Sequence, residues 1–477
     1  MLNFLKRKFK KVVKPPTKIR PNHEERENRQ KIEIVKKQDV TSIPQKEEKP
    51  KHRHNKIKHH PSQREERKHT TPKKHTVKHQ PPELPSLTTP PEKEGSLRFI
   101  DLNVNKEILA ACQDLGFEYC TPIQQKALPH TLKKLDLTGK AQTGTGKTAA
   151  FLISSINYML NNPIQKRLPG SCRTVILAPT RELAMQIHKD AVGLTKYTSL
   201  HSVVVMGGMN YEKQKAQLAN PVDILVGTPG RLLDFLRGGT IKLQKTEILI
   251  IDEADRMLDM GFIPDVRKIV YKLPPAGERQ TLFFSATFNQ KILNLVSSWL
   301  SKPITIEIES DNVVSDLIEQ TFYSVTSDKK LKLLEWFLKN DTVSRMLIFV
   351  NRKDTALMLT NKVKKLNYSC DMLSGDVQQK KRISILERFR SGQLKIIVAT
   401  DVAARGIHVD DVSHVVNYDL PYEPADYVHR IGRTGRAGNK GKSISLLCEY
   451  GAFMVPELEK VLGHSIASVQ PEDNMLK

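Results

Sequence analysis

Ala141-Gln142-Thr143-Gly144-Thr145-Gly146-Lys147-Thr148 combines closely spaced glycines, a lysine and a hydroxyl in one short run. Glycines at that spacing let backbone N–H groups turn toward phosphate oxygens, and a helix opening at Lys147 adds positive potential. In such a loop Lys147 neutralises β and γ phosphates and the Thr148 hydroxyl reaches Mg²⁺. The strict pattern begins with glycine, and here Ala141 stands in that place. Further on, the apolar run Ile248–Ile251 ends in Asp252-Glu253-Ala254-Asp255. A strand ending in an acid is where a second magnesium ligand belongs. Asp252 would hold the metal, directly or through water, and Glu253 would orient or deprotonate an attacking water. Taken alone, the first run reads equally as a structural glycine turn, and the second as a helix N-cap whose acids complement the dipole. Together they read as a nucleotide triphosphate site.

Such residues need strand ends and helix starts to hold them. Thr174–Ala178, Ser202–Met206, Asp223–Gly227, Ile248–Asp252 and Thr281–Ser285 are short apolar runs suited to buried parallel strands, and Leu135–Leu137 is a strand-like lead into the loop. Helical periodicity lies between them, as in Thr148–Leu160 and Arg181–Thr195. A second set follows a polar linker: Thr321–Val325, Met346–Val350, Ile396–Thr400 and His414–Asn417. Strands alternating with helices predict parallel sheets covered on both faces. The fold class expected is α/β, with two tandem domains and a cleft between them. Ligands in such sheets gather at the carboxyl ends of strands.

The charge is unevenly spread. The 477 residues carry a formal net charge of +24, of which residues 1–96 supply 26 Lys+Arg against 12 Asp+Glu. That fifth of the chain also holds 12 of 27 prolines and only two aromatics, Phe4 and Phe9, so it cannot bury enough apolar area to offset the entropy of ordering. The predicted layout is a disordered basic arm (1–96), a first domain (97–308), a linker (309–317), a second domain (318–466) and a short tail (467–477). Leu2, Leu5, Phe9 and Val12 or Val13 recur at helical spacing among lysines until Pro15-Pro16. That reads as a basic amphipathic helix for RNA, a partner or an anionic membrane, as a frayed tail, or as a transit peptide. Seven histidines between His52 and His79 read as solvated low complexity. No apolar stretch reaches the ~18–20 residues of a membrane span. Five cysteines, never spaced CxxC, fit a reducing, cytoplasmic setting rather than a disulfide or zinc scaffold.

Asp252-Glu253-Ala254-Asp255 with that loop resembles the DEAD-box RNA helicases, a family of two RecA-like domains using ATP and Mg²⁺. The resemblance runs from Leu97 to about Ile466. Phe99 and Gly116-Phe117 through Thr121-Pro122-Ile123-Gln124 resemble its adenine-reading segment, implying that Gln124 bonds the adenine edge and an aromatic such as Phe117 packs on its face. Pro179-Thr180-Arg181, Gly207-Gly208 and Thr228-Pro229-Gly230-Arg231 resemble loops on the RNA backbone, and Ser285-Ala286-Thr287 the element that couples hydrolysis to strand separation, with Asp255 and His429. Asn351, Arg382 and Thr400 resemble RNA-facing positions of the second domain. His429-Arg430-Ile431-Gly432-Arg433-Thr434-Gly435-Arg436 resembles the arginine-finger motif, which implies that Arg433 and Arg436 meet the γ-phosphate only when the domains close. Contacts from loops and arginines to phosphates carry no base information, so RNA binding without sequence preference is expected.

Arg405-Gly406-Ile407-His408 places Gly406 at the nucleotide and has histidine where most of the family has a ribose-contacting aspartate. Histidine there, with Gly207 through Gln214, Gly375 through Arg382 and Gly463-His464-Ser465-Ile466, resembles the RhlB subfamily of bacterial RNA degradation. That resemblance implies a monomer with the endoribonuclease RNase E as partner. It departs in the tails, since RhlB proteins carry a basic C-terminal extension whereas here the basic arm is N-terminal. Lys134 stands where relatives have glycine before the loop strand, and only a local turn change is expected of it.

Overall fold

Fourteen strands among the described residues form two sheets of seven, and every strand pair in both is parallel. The computed structural model describes residues 81–141, 144–308, 317–404, 412–435 and 439–477. The first sheet contains β1 Leu137–Lys140, β2 Cys172–Leu177, β3 Ser202–Val205, β4 Val222–Gly227, β5 Ile248–Ile251, β6 Gln280–Ser285 and β7 Ile304–Glu307. The second contains β8 Ile318–Ser324, β9 Met346–Val350, β10 Cys370–Leu373, β11 Ile396–Thr400, β12 His414–Asn417, β13 Gly441–Leu447 and β14 Ser468–Val469. Their orders, β3-β4-β2-β5-β6-β1-β7 and β10-β11-β9-β12-β13-β8-β14, are the same topology twice. These are two RecA-like α/β domains.

Burial on both faces explains the unbroken apolar runs of β5 and β9, which are buried at every position. Alternate residues of one strand enter different cores. Ile248 and Ile250 pack on one side of the first sheet, Leu249 and Ile251 on the other. Leu347 and Phe349 are likewise separated from Met346, Ile348 and Val350.

The strand before the phosphate loop lies later than the sequence suggested. Leu135 is outside it and exposed, and Lys134 turns through the left-handed region at φ 61°. That backbone is one a glycine would adopt without strain. Lys134 tolerates it while placing Nζ 3.0 Å from the Tyr158 hydroxyl and over that ring. Within β1, a Cβ on Gly139 would fall 2.5 Å from the Phe284 ring, so a residue that looks like a strand breaker is required by close packing.

Packing begins upstream of the boundary expected at Leu97. Leu87 lies against the first core, and residues 86–96 accept hydrogen bonds from Gln113, Tyr119, Arg98 and Gln125. Residues 1–80 and most of the expected linker, 309–316, are outside the described residues. No helix among the described residues is long and apolar enough to cross a membrane.

Candidate functional site

The phosphate loop joins β1 to the helix Lys147–Asn161. Gly144 and Gly146 have φ of 89° and 94°, which an L side chain rarely adopts. A Cβ on Gly146 would also fall 2.5 Å from Gln124 Nε2 and 2.7 Å from Thr121 Oγ1. Ala141 needs no such freedom: its N–H donates to the Ser285 carbonyl at 3.3 Å, and its carbonyl accepts from Lys147 Nζ at 2.8 Å. This is why alanine serves where the strict pattern has glycine.

Asp252 leaves the end of β5 with its Oδ1 3.9 Å from Lys147 Nζ, both side chains nearly buried. Burial pushes the Asp252 carboxyl up to about 6; Lys147 opposes the rise, while Glu253 and Asp255 add repulsion. A buried carboxylate under that strain fits a hard cation, with the neighbouring Thr148 and Glu253 oxygens on the same cavity. Glu253 itself sits in the left-handed region at φ 50°, a strain of ~1–3 kcal/mol that aims it into the cavity rather than along the helix.

Asp255 faces the other way. Its Oδ2 accepts the N–H groups of Ala286 and Thr287 at 2.9 and 3.1 Å, and Ser285 Oγ donates to the Thr287 carbonyl at 2.7 Å. Since Ser285 also accepts from Ala141, the coupling segment touches both acid motif and phosphate loop.

The cavity at this site has a volume of about 670 Å³, and the described residues that line it all belong to the first domain. Phe117 stacks on Phe99 with centroids 6.1 Å apart and forms one wall. Gln124 lines it too, but its amide is engaged by protein, accepting from Thr121 N at 2.8 Å and donating to the Gly146 carbonyl at 3.0 Å. Gln186 and Asp190 form the opposite wall, which sequence reasoning missed. Burial pushes the Asp190 carboxyl up to about 6, with Lys189 opposing.

Arg433 is buried in a different place. With Arg256, Asp401, Asp426 and His429 it lines a cavity of about 10 Å³ drawn from both domains. The structure therefore brings Lys147, Thr148, Asp252 and Glu253 together and leaves Arg433 outside the nucleotide cavity. His429 Nδ1 is buried without a hydrogen-bond partner, 3.9 Å from Asp426 Oδ1. Beside it Arg430, missed as a site residue, forks onto both Asp401 oxygens at 2.6 Å and reaches Asn351 Oδ1 at 3.0 Å.

A second cleft, about 340 Å³, spans the two domains. Pro179, Thr180, Arg181, Gly207, Thr228, Gly230 and Arg231 line it from the first domain, and Gln379 and Arg382 from the second. Gly208 borders it, since a Cβ there would fall 2.5 Å from Arg181 Nη1. Arg231 is fixed by its bond to the Met209 carbonyl and by the Tyr211 ring at 5.4 Å. Across the cleft Arg382 pairs with Glu182. Asn351 does not line it: its side-chain amide donates to the Leu420 carbonyl at 2.8 Å and accepts from Arg430. Thr400 ends β11, buried, and is also off the cleft. Gln142, Thr143, Gly406, His408 and Arg436 lie outside the described residues.

Comparison with known proteins agrees with this geometry. Residues 121–295 match the DEAD/DEAH box helicase family and residues 329–438 the helicase conserved C-terminal domain. The chain is 51% identical over 387 residues to the ATP-dependent RNA helicase RhlB of Pseudomonas syringae pv. tomato, covering 81% of this chain and 98% of that protein. It is 46% identical over 370 residues to the RhlB of Shewanella baltica, covering 77% and 84%. Among solved structures, it matches S. cerevisiae Dbp5 bound to RNA and ADP BeF3 with TM-score 0.70 and 31% identity, over 80% of this chain and 100% of that one. Mss116p bound to ssRNA and AMP-PNP matches with TM-score 0.71 and 27% identity, over 81% and 82%.

Proposed function

The chain belongs to the DEAD-box family of ATP-dependent RNA helicases and is RhlB-like, and from that premise we propose how its residues divide the work. It is an ATP-hydrolysing RNA helicase. The observation that carries the proposal is the pairing of a phosphate-loop cavity, lined among the described residues by the first domain, with a cleft built from both.

Lys147 would meet the β and γ phosphates and Glu253 would orient the attacking water. Thr148 and Asp252 would hold Mg²⁺, which neutralises charge on the phosphate oxygens when bound. Arg433 and Arg436 would complete the site from the second domain, and an arginine delivered this way can be worth ~10³–10⁵ in rate. RNA in the cleft would engage loops of both domains at once, so its binding would favour closure and turn on hydrolysis. Asp255, through Ala286 and Thr287, would carry the state of the phosphate loop toward the cleft; Ser285, Thr287 and His429 complete that coupling set.

The physiological part is the protein's place in bacterial mRNA turnover, working as a cytoplasmic monomer with RNase E. Support comes from the RhlB-like residues at 207–214, 375–382 and 463–466. The basic arm would add affinity for RNA, with an anionic membrane surface as its other target.

The test is ATPase and short-duplex unwinding by the full-length protein, with and without RNA, Mg²⁺ and an RNase E fragment. Hydrolysis that rises with RNA, needs Mg²⁺ and is lost in Glu253→Gln is expected. Equal stimulation by DNA would instead indicate a translocase. Wild-type turnover no faster than Glu253→Gln would indicate a passive RNA clamp. An RNase E fragment that neither binds nor stimulates would remove the partner alone.

A further inference from the structure

Pro81 through Ser96 contains five prolines and precedes the first domain's first helix, Lys106–Asp114. Its fixed φ angles and missing donors suit an extended strap rather than a helix or sheet strand. Such a segment, with five N–H groups missing, is held largely through its carbonyls and side chains, and the domain supplies partners for them. Gln113 uses both ends of its amide: Oε1 accepts from Thr88 N at 2.8 Å and Thr88 Oγ1 at 3.0 Å, and Nε2 donates to the Ser86 carbonyl at 3.2 Å. The Tyr119 hydroxyl donates to the Pro91 carbonyl at 2.8 Å, and Arg98 Nη1 to the Pro90 carbonyl at 3.2 Å.

Where the strap lies decides what it does. Between it and the domain is a cavity of about 270 Å³ whose walls include Pro90, Pro91, Cys112, Phe99, Phe117 and Glu118. The last three also line the nucleotide cavity. The stacked Phe99 and Phe117 rings thus form a partition with the nucleotide cavity on one side and the strap on the other. A ring pair backed by a void lacks packing partners on that side, so its position is sensitive to what closes the far side of the void. The backbone ties the same parts together, since Phe99 N donates to the Glu118 carbonyl at 3.1 Å and Cys120 N to the Leu97 carbonyl at 2.7 Å.

We infer that the proline-rich strap backs the aromatic wall of the nucleotide site, and that Gln113 and Tyr119 are positioning residues which, by holding the strap, set the Phe99–Phe117 partition against the nucleobase. This deepens the proposed function and rests on its assignment of the larger cavity to ATP. The strap touches no phosphate, so its loss acts on base recognition and not on the chemical step.

The experiment uses the full-length chain and its Gln113→Leu and Tyr119→Phe variants, with ATP and GTP as substrates in saturating RNA. Each variant removes strap hydrogen bonds without altering Phe99 or Phe117; Tyr119 also borders the nucleotide cavity, so Gln113→Leu, which does not, is the decisive variant. The KM for ATP is expected to rise about 2–10-fold, the equivalent of a hydrogen bond lost, with kcat changed less than twofold. The preference for ATP over GTP in kcat/KM is expected to fall with it. A purely structural role would lower thermal stability and leave that preference alone. Removing residues 1–80 should leave KM for ATP unchanged, and removing 1–96 should raise it; if the shorter chain fails to fold, the point variants decide. Wild-type KM and wild-type ATP/GTP preference in both point variants would overturn the inference. A wild-type protein without RNA-stimulated ATPase would overturn the functional reading instead.

Discussion

Arg382 of the second domain donates its Nε to Glu182 of the first at 2.6 Å, with both side chains nearly buried. Gln379 extends the pair, donating to the same Glu182 oxygen and accepting from Arg181, each at 3.1 Å. One carboxylate therefore holds two cleft side chains, of which Arg382 would face RNA phosphates under the proposed function. Glu182→Gln is expected to tighten single-stranded RNA binding several-fold and to steepen its salt dependence by roughly the ~0.7 that one extra phosphate contact adds. Filter binding across a salt series measures it, and an unchanged slope would mean that RNA already displaces the pair in the wild type.

Asp255 holds two N–H groups of the coupling segment without lining the nucleotide cavity. Asp255→Ala should leave RNA-stimulated ATPase within a few-fold while short-duplex unwinding falls about tenfold or more, the signature of uncoupling rather than lost chemistry. Parallel ATPase and strand-separation assays test this; equal losses in both would place Asp255 in the chemical step.

Asp190 carries a pH signature whose sign can be worked out. Burial raises its carboxyl from 3.8 to about 6, so the folded state binds its proton more tightly than the unfolded chain does. Below the unfolded value both states are protonated and nothing is lost. As pH rises from about 4 to about 6 a penalty grows, and above that it is constant. Asp190→Asn should therefore stabilise the protein more at pH 7.5 than at pH 4.5. Allowing for partial exposure, the gain is on the order of 1 kcal/mol, or ~2–4 °C in Tm. A Tm difference equal at the two pH values would contradict it.

Arg430 is 2% exposed, and besides Asp401 and Asn351 it donates to Asn417 Oδ1 at 3.3 Å and to the Asp419 carbonyl at 2.5 Å. Arg430→Met fills similar volume but strands the Asp401 carboxylate, at a cost of ~3–5 kcal/mol. Chemical denaturation of the second domain should show this, and adding Asp401→Asn should recover part of it. A loss under ~1 kcal/mol would mean that water replaces the guanidinium.

Removing residues 1–80, which carry 25 Lys+Arg against 9 Asp+Glu, should weaken RNA binding and flatten its salt slope through fewer released counterions. An unchanged slope would favour a membrane or protein target for the arm.

What could be read from the sequence follows how each element is stabilised. β5, β9 and β11 are continuous apolar runs because two layers of helices cover them, and the sequence shows that directly. β13 was missed because buried serines interrupt it; Asn417 Nδ2 donates to the Ser445 hydroxyl at 3.1 Å, which helps satisfy it inside the sheet. β7 and β14 are short and largely exposed, so their pairing to neighbours rather than their own residues makes them strands. In the site, motif spacing pointed to Lys147 and Asp252, which line one cavity, and the family resemblance pointed to the loops that line the cleft. It gave no sign that Asn351 would be turned inward by Arg430, or that Glu182 would meet Arg382, since both depend on which side chains two distant segments bring face to face.

The position of β1 has a consequence for synthesis of the protein on the ribosome. β1 is first in sequence yet lies between β6 and β7, the last strands of its domain to be made. A nascent chain that has exposed Lys147 still has no strand to seat β1 against until Gln280–Ser285 has emerged, and β1 stays an edge until Ile304–Glu307 follows. β8 has the same relation to β13 and β14, so its sheet is complete only once Ser468-Val469 has been made. Long-range parallel pairing of this kind is slow to form. Each half thus acquires its working loops at the end of its own translation, and nucleotide capture by a ribosome-bound chain would report a completed first domain.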